Sequence, residues 1–140
     1  NRLGHALTKT TIVGDISSDN PSDYVTSGGY EIWNEGLAEH LFSAVNKYPP
    51  NQRSLMPEGY PLPNDRFVKT EEHAHLSQPF ADLTKDKIIQ LGFDLGIANE
   101  IAPITHSCTE LDRGRCGNCW WCKEREWAFK EIGQEDIGEN

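Results

Sequence analysis

Apolar positions recur with two different periods in the first half of the chain. Residues Thr10 to Gly14 are β-branched and apolar, which predicts a short strand, and Gly14 to Asp19 is expected to be the loop that leaves it. From Tyr30 to Tyr48, apolar side chains recur at every fourth residue, which predicts an amphipathic helix. The stripe consists of Trp33, Leu37, Leu41 and Val45, widened by Ala38 and Phe42. The first half is therefore expected to combine strand and helix.

A second helix is predicted in the middle of the chain. Thr84 is a good N-cap, and Gly96 is well placed to end the helix that starts at Lys85 and runs to Leu95. One face of this helix carries Ile88, Leu91 and Leu95.

The last predicted helix follows Cys122 and runs to about Ile132, with Gly133 as its stop. By the i, i+3, i+4, i+7 rule its packing face comprises Trp121, Arg125, Ala128, Phe129 and Ile132. A guanidinium on that face needs an anionic or carbonyl partner. Two interpretations of Arg125 stay open: an intramolecular salt bridge or helix-end contact, and a substrate or phosphate contact.

Two stretches between these elements lack a clear pattern. Residues 49–65 hold five of the eight prolines, which predicts a loop, either a lid or a docking surface. Residues 67–80 can carry a strand in which His73 and His75 project to the same side and could share a metal. The other interpretation is an exposed polar strand or loop, since no third donor stands at a clear spacing.

Composition and charge narrow the class of protein. A length of 140 residues bounds one domain, and 36% hydrophobic with 25% charged residues is typical of a soluble globular protein. No apolar run is long enough to predict a membrane span. The first residues, Asn1-Arg-Leu-Gly-His, lack the basic and apolar regions of a secretory signal, which together with reduced, clustered cysteines favours the cytoplasm. The net charge of −9 disfavours a nucleic-acid binder, which needs a basic surface.

All four cysteines stand close together, in the order Cys108, Cys116, Cys119 and Cys122 with the spacing C-x7-C-x2-C-x2-C. Thiolates are soft ligands, and four of them complete a tetrahedral shell around Zn²⁺ with no position left for a catalytic water. Gly117 relieves the tight bend between two of them. This spacing predicts a structural zinc site; the competing interpretation is a pair of disulfides or a redox dithiol.

The residues around the cysteines resemble the 7-cyano-7-deazaguanine synthases, the QueC/ExsB family. The resemblance includes Thr105-His-Ser-Cys108 and Cys116-Gly-x-Cys119-x-x-Cys122-x-x-Arg125-x-x-Ala128-Phe129, ending at Gly133. Upstream, Pro79-Phe-Ala-Asp-Leu-Thr84-Lys85-x-x-Ile88-Ile89-x-Leu91-Gly92 is similar to the family's "Pro … Leu-Thr-Lys … Ile … Gly" segment. The resemblance covers roughly residues 77–133. It implies a part in queuosine and 7-deazapurine biosynthesis, in which ATP, ammonia and 7-carboxy-7-deazaguanine give the 7-cyano base.

The family's ATP site, a Ser-Gly-Gly-x-Asp-Ser loop after the first strand, has no clear counterpart. Ser27-Gly28-Gly29-Tyr30-Glu31 follows a turn instead of a buried strand, and Glu31 stands where the loop needs Asp. ATP is therefore implied only for a complete family enzyme. The chain has no initiator Met, so we expect either a fragment or a processed protein.

A deazapurine ligand is implied by the same resemblance. The family's recognition motif, Asp … Tyr-Pro-Asp-Cys-Arg, is matched only by Pro21 and Asp23, without its cysteine and arginine. Asp15 and Asp23 would lie in the loop at the C-terminal end of the first strand. If the family arrangement holds, they share one cleft with Lys85 and Arg125, which would contact the acidic side of the ligand.

The predicted fold class is α/β, with a partial Rossmann-like layer of the adenine nucleotide alpha hydrolase-like kind. Residues 1–104 form the incomplete α/β portion, 105–133 the zinc knuckle and C-terminal helix, and 134–140 a frayed acidic tail. The predicted function is the zinc-binding C-terminal portion of a 7-cyano-7-deazaguanine synthase-like ligase of the PP-loop superfamily, inactive alone. The alternative is a stand-alone, non-enzymatic zinc-stabilised binding module. A homo-oligomer or a separate N-terminal half are the expected protein partners.

Overall fold

The computed structural model describes residues 32–63, 74–108 and 115–138, and the chain forms two compact units, Asn1–Leu41 and Phe42–Asn140. In the first unit, residues 32–34 are helical and the chain turns at Gly36, whose φ is +69°. The Gly36 N–H donates to the carbonyl of Trp33 at 3.0 Å. A left-handed glycine of this kind ends a helix. The helix predicted from Tyr30 to Tyr48 is therefore wrong beyond residue 34.

The segment that follows is extended instead of helical. Strand β1, Leu41–Phe42, pairs with strand β2, Leu76–Ser77, in a two-stranded sheet. The N–H of Ser43 donates to the carbonyl of Ser77 at 2.9 Å, and Lys47 forms an isolated parallel bridge with Thr84. Backbone donors that a helix would have used internally thus bond to a segment more than thirty residues away. The helical period of the sequence was overridden by this pairing.

The proline-rich stretch is organised by one arginine. A 3₁₀ helix, Gln52–Leu55, starts it, and Arg53 donates through Nη2 to the carbonyls of Pro57 at 3.1 Å and Tyr60 at 2.8 Å. Met56 is buried beside this turn. These two hydrogen bonds fix the backbone conformation of the described part of the loop.

The remaining described residues are mostly helical. The elements are α1 (Lys85–Asp94), α2 (Ala98–Ile101), a 3₁₀ helix (Ala102–Ile104) and α3 (Trp120–Glu131). The predicted C-terminal ends of α1 and α3 are confirmed, because Gly96 and Gly133 close them with φ of +69° and +68°. The predicted start of α3 after Cys122 is wrong, because the helix begins at Trp120. Thr84 is the N-cap of α1 as predicted, although its hydroxyl donates to the carboxylate of Asp86 and accepts no capping hydrogen bond from a backbone N–H.

Helix α3 lies at the centre of the second unit. It packs against α1 and the 3₁₀ helix at Gln52–Leu55. The buried side chains of α3 are Trp120, Cys122, Glu124, Arg125, Ala128 and Phe129. The ring of Tyr48 meets that of Trp120 edge to face, with 5.7 Å between centroids. Two of the six buried residues are charged, so the core depends on how those charges are paired.

The described residues thus mix helix and strand. A Rossmann-like layer stays a prediction, since the sheet in this part of the chain has two strands. Among the described helices, none combines the length and the apolar character needed to cross a membrane.

Candidate metal centre

Four thiols converge where α3 begins. Cys108 follows the 3₁₀ helix at Ala102–Ile104, Cys116 and Cys119 lie in the turn before α3, and Cys122 lies in its first turn. The four Sγ atoms all lie within 4.8 Å of one another. Each thiol is free, so neither disulfide of the competing interpretation is present in the structure.

Backbone donors preorganise two of the sulfurs. The Cys116 N–H donates to Sγ of Cys108 at 3.4 Å, and the Cys119 N–H donates to Sγ of Cys116 at the same distance. The chain can bend this tightly because Gly117 adopts a φ of +70°. Cys119 is also the N-cap of α3, where its carbonyl accepts from the N–H of Lys123 at 3.0 Å. The start of α3 and the thiol cluster are therefore formed by the same residues.

The environment acts differently on two of the thiols. Hydrogen bonds from the backbone of Asn118 and then Cys119 lower the pKa of Cys116 to about 6, because they stabilise the thiolate. Burial is the main cause that raises the pKa of Cys122 to about 12. A bound cation would favour the thiolate form of both. The four cysteines can therefore hold a metal ion, with Cys122 on the buried side.

Arg125 lies one turn further along α3 and is buried. Its Nε and Nη2 atoms donate to the carboxylate of Asp136 at distances from 2.9 to 3.1 Å. Its Nη1 donates to the carbonyl and the hydroxyl of Thr105 at 3.0 and 2.8 Å, and Nη2 also reaches the carbonyl of Ala102 at 3.2 Å. The guanidinium carbon lies 5.4 Å from the centroid of the Phe129 ring. The intramolecular ion pair left open by the sequence is thus present.

The segment after α3 is part of this cluster. Asp136 pairs with both Arg125 and Arg115, and it accepts from the N–H of Gly138 at 3.0 Å. A side chain at Gly138 would overlap the guanidinium of Arg125, so the close approach requires glycine. The prediction of a frayed tail is wrong for residues 134–138, because a buried arginine needs the carboxylate that this segment brings.

Asp136 is tuned by opposing effects. Burial raises its pKa, but the hydrogen bonds from Arg125 and Gly138 and the charges of Arg125 and Arg115 together lower the pKa below its ordinary value of 3.8. The carboxylate therefore stays ionised at neutral pH.

A second polar cluster lies around Glu124, which is fully buried on α3. Its Oε2 lies 2.7 Å from Nζ of Lys85, and its Oε1 accepts from Nδ2 of Asn46 at 3.3 Å. The same amide of Asn46 donates to the carbonyl of Lys47 at 3.0 Å. The start of α1 and the extended segment after β1 are joined to α3 through this one carboxylate.

An open cleft of about 630 Å³ runs along the outer side of α3. Its lining includes two cations, Arg115 and Lys130, and two carboxylates, Glu126 and Asp136, and Phe129 contributes apolar surface. Because Arg115 already pairs with Asp136, the cleft is electrostatically mixed and not a uniform anion site.

Some of the site residues predicted from the sequence lie within the described part of the structure, and others do not. It brings the four cysteines together and places Lys85 and Arg125 in ion pairs with protein carboxylates. Asp15, Asp23, the segment Ser27-Gly28-Gly29 and His73 lie outside the described residues; His75 is described and half-buried. Sequence reasoning missed Glu124 and Asp136. The signal was present for Glu124, an acidic residue beside Arg125 in a helix with apolar neighbours.

Comparison with known proteins gives one consistent family. The model described as "Queuosine biosynthesis protein QueC" matches residues 43–133. Curated proteins named 7-cyano-7-deazaguanine synthase are similar: 30% identity in Persephonella marina over 76% of this chain, 33% in Methanococcus maripaludis over 73%, and 34% in Methanoculleus marisnigri over 71%. No solved structure matches.

The chain matches only part of each of these relatives. The chain spans 46%, 47% and 45% of the length of these three relatives, and the part matched is C-terminal. The family match contains the whole four-cysteine cluster, both ion-paired clusters as far as Gly133, and all of α1 to α3. On this evidence the chain belongs to the QueC family of queuosine biosynthesis proteins.

Proposed function

We propose that the chain is the zinc-binding C-terminal portion of a 7-cyano-7-deazaguanine synthase-like protein and does not make the nitrile alone. The observation that carries the proposal is the convergence of four thiols within 4.8 Å inside the family-matched region. The relatives are named for the synthase activity, and this chain corresponds to less than half of their length. The activity of the whole protein is therefore proposed here for a complete molecule only.

Zinc is the metal that suits this donor set. Four Zn–S bonds of about 2.3 Å in a tetrahedron place the sulfurs about 3.8 Å apart. The Sγ atoms of Cys116 and Cys122 are 3.9 Å apart. With four thiolates the shell is complete, so the proposed role is structural: the metal joins the segment before Cys108 to the start of α3.

In the complete enzyme, ATP would activate the carboxylate of 7-carboxy-7-deazaguanine as an adenylate, and ammonia would displace AMP to give the amide. A second activation would dehydrate the amide to the nitrile. These steps need a phosphate-binding loop at a helix N-terminus, and the sequence offers no segment with the required residues in that context.

The proposed ligand contacts are Asp15, Asp23, Lys85 and Arg125. Lys85 keeps part of its side chain exposed, at 20%, and its ammonium has three donors, of which one faces Glu124. Arg125 is less available to a ligand than Lys85, because all three of its side-chain nitrogens donate to protein acceptors. A ligand at Arg125 would have to take the place of Asp136. Lys85 is accordingly the better supported of the two.

Metal content tests the first half of the proposal. The purified chain is expected to contain about one zinc per chain, and Cys122→Ser should lose it, since that sulfur lies on the buried side of the cluster. Ser54→Ala, whose exposed hydroxyl donates to the carbonyl of Asn51 and to no cysteine, is the control and should keep the metal. Elemental analysis with well under one zinc per chain, or a disulfide between any two of these cysteines, would refute it.

Activity tests the second half. The zinc-loaded chain is incubated with ATP, ammonia and 7-carboxy-7-deazaguanine, beside the full-length Methanococcus maripaludis relative as positive control. We expect no AMP and no nitrile above the reaction without enzyme. AMP release by the chain alone would overturn the proposed inactivity and direct attention to Ser27-Gly28-Gly29.

One observation favours the alternative of a stand-alone, non-enzymatic binding module. Both candidate ligand cations, Lys85 and Arg125, are already neutralised by carboxylates of the protein. Such pairing suits a module that uses zinc and internal ion pairs only to hold its shape. Addition of the missing half of a synthase separates the two: recovered nitrile formation supports the enzyme fragment, and continued inactivity with intact binding to that half supports the module.

A further inference from the structure

Five large aliphatic side chains are exposed on consecutive turns of the second unit. Their exposed fractions are 40% for Leu91, 62% for Leu95, 37% for Ile97, 44% for Ile101 and 80% for Ile104. Leu91 lies in α1, Leu95 and Ile97 lie in the turn between α1 and α2, and the other two lie in α2 and the 3₁₀ helix that follows. We call this set the aliphatic face. Single exposed aliphatic residues are ordinary, but a run of five on adjoining elements marks an interaction site.

The aliphatic face is built on rigid structure. The turn between α1 and α2 is closed by Gly96 with φ of +69°, and the N–H of Ile97 donates to the carbonyl of Gly92 at 3.0 Å. Gly92 and Ala98 pack against each other, since a Cβ at residue 92 would meet that of Ala98 at 3.7 Å, an ordinary van der Waals distance. Ala98 and Ala102 are buried underneath. The exposed side chains therefore stand on a packed base and not on a loose loop.

The apolar face of helix α1 is covered at one end and uncovered at the other. Ile88 lies on this face and is mostly buried, and α1 packs against α3. Leu91 and Leu95 continue the same face towards the end of the helix, where they are 40% and 62% exposed. An apolar face that is only partly covered is typical of a helix that packs against a second layer. The described residues supply one layer, together with a two-stranded sheet that is marginal on its own.

The curated relatives indicate what the second layer is. The matched part is C-terminal and accounts for 45–47% of their length, so about as much chain again precedes it. The aliphatic face lies within the family-matched residues 43–133. A surface inside the shared region needs a neighbour that the relatives also have, and that neighbour is their N-terminal half.

We propose that the aliphatic face is the docking surface for the N-terminal half of a synthase, whether this half belongs to the same polypeptide or to a second one. The inference rests on the proposed function. Contact is made by Leu91, Leu95 and Ile101 across the face, with Ile104 beside the segment that leads to Cys108. Docking here covers the α1–α2 turn and places the second layer next to the metal centre.

The main test is co-purification. The full 140-residue chain, zinc-loaded, is co-expressed with the segment of the Methanococcus maripaludis synthase that precedes its matched part. We expect a one-to-one complex, with slower amide exchange over residues 85–104 than in the chain alone. Leu95→Asp, at an exposed site, should weaken the complex at least about tenfold, because a charge replaces a buried aliphatic contact. Ile137→Asp is the matched control: its side chain is 42% exposed, outside the face, and binding should not change.

A second measurement does not depend on the N-terminal segment folding in isolation. In the full-length relative, aspartate at the position aligned with Leu95 should lower the melting temperature by several degrees, whereas in this chain Leu95→Asp should leave it unchanged. Equal, small effects in both proteins would overturn the proposal. So would a complex insensitive to Leu95→Asp, or dimerisation of the chain through this face without the N-terminal segment. Zinc content is measured on the same samples, so a chain that binds zinc but fails these tests refutes the docking surface and leaves the metal proposal standing.

Discussion

Two neighbouring residues of α3 carry buried charges of opposite sign and are stabilised in different ways. Arg125 is surrounded by acceptors: the carboxylate of Asp136, and oxygens of Thr105 and Ala102. These partners come from segments close to it along the chain. Glu124 is held by Lys85 and Asn46, and Asn46 is 78 residues away in sequence. The Arg125 cluster connects segments on either side of the four cysteines, which together form the metal region. The Glu124 cluster connects α3 to α1 and to the segment after β1.

The two buried charges show how a small unit with few large apolar core residues can be held in one fold by paired polar groups, and they differ in how completely each is paired. Arg125 presents donors in a planar fork and has matching acceptors, so its charge is fully compensated. Glu124 has fewer partners, and one of them, Lys85, remains partly in solvent. Loss of either charge should be costly, but the Arg125 cluster should cost more and should respond to the metal. The predictions below test that order.

Metal removal is expected to have the largest effect. In small all-thiolate sites, binding of zinc contributes on the order of 10 kcal/mol of apparent folding free energy. Chelation should therefore speed amide exchange in residues 105–108 and 115–125, which carry the thiols, Arg125 and its acceptor Thr105. Exchange at Asn46 and Lys47 should rise less. A chelator saturated with zinc beforehand is the control. An equal increase in amide exchange in both regions would show that the Arg125 and Glu124 clusters lose their structure together.

Arg125→Met should give the next largest effect. The change removes the buried guanidinium but keeps an unbranched side chain, and loss of one partner of a buried ion pair costs about 3–5 kcal/mol. Arg125→Lys should recover only part, because an ammonium cannot donate in two parallel directions to Asp136. Denaturant unfolding of the zinc-loaded protein measures the effect. Lys123→Met, on an exposed part of the same helix, should change stability by less than about 1 kcal/mol. Equal losses for the two variants would contradict the assigned role of Arg125.

The contrast also explains what the sequence could predict. The metal region could be predicted because its determinants are local: the cysteine spacing and the glycines at Gly117 and Gly133. Both limits of α1 and the C-terminal end of α3 followed from cap residues in the same way, whereas α3 starts at Trp120, before the predicted start after Cys122. The structure agrees with the sequence where each residue's partners lie within a few turns of the chain.

The segment from Gly36 to Lys47 was not predictable on that basis. Its apolar residues repeat with a helical period, yet the N–H groups of Ser43 and Lys47 donate to the carbonyls of Ser77 and Leu83. The side chain of Asn46 donates to Glu124. Asp136 was missed for a related reason. Acidity near a terminus is typical of a frayed tail, and only the buried Arg125 makes it a structural residue. Long-range pairing of charges leaves no periodic signal in one sequence.

Glu124→Gln tests the second cluster. The amide keeps a partner for Asn46 but removes the ion pair with Lys85, which we expect to cost about 1–3 kcal/mol. Lys85→Met combined with Glu124→Gln completes a double-mutant cycle, and the coupling free energy should lie within about 0.5–3 kcal/mol. Zinc content should stay that of the unmodified chain. A coupling near zero would mean that the two side chains act independently, and a larger loss than for Arg125→Met would reverse the order proposed above.

The smallest effect concerns the pH response of Asp136. Its pKa is lowered in the folded state, so the folded protein binds a proton at this site less readily than the unfolded chain does. The stabilisation is therefore complete above the ordinary value of 3.8 and disappears as the pH falls through the lower, folded value. Asp136→Asn lacks the ionisable group. The stability difference between the two proteins should be widest near neutral pH and should narrow in acid, while metal loss affects both alike. A carbon-13 titration of Asp136 gives the direct check, and a midpoint at or above the ordinary value would show that Arg125 and Arg115 do not outweigh burial.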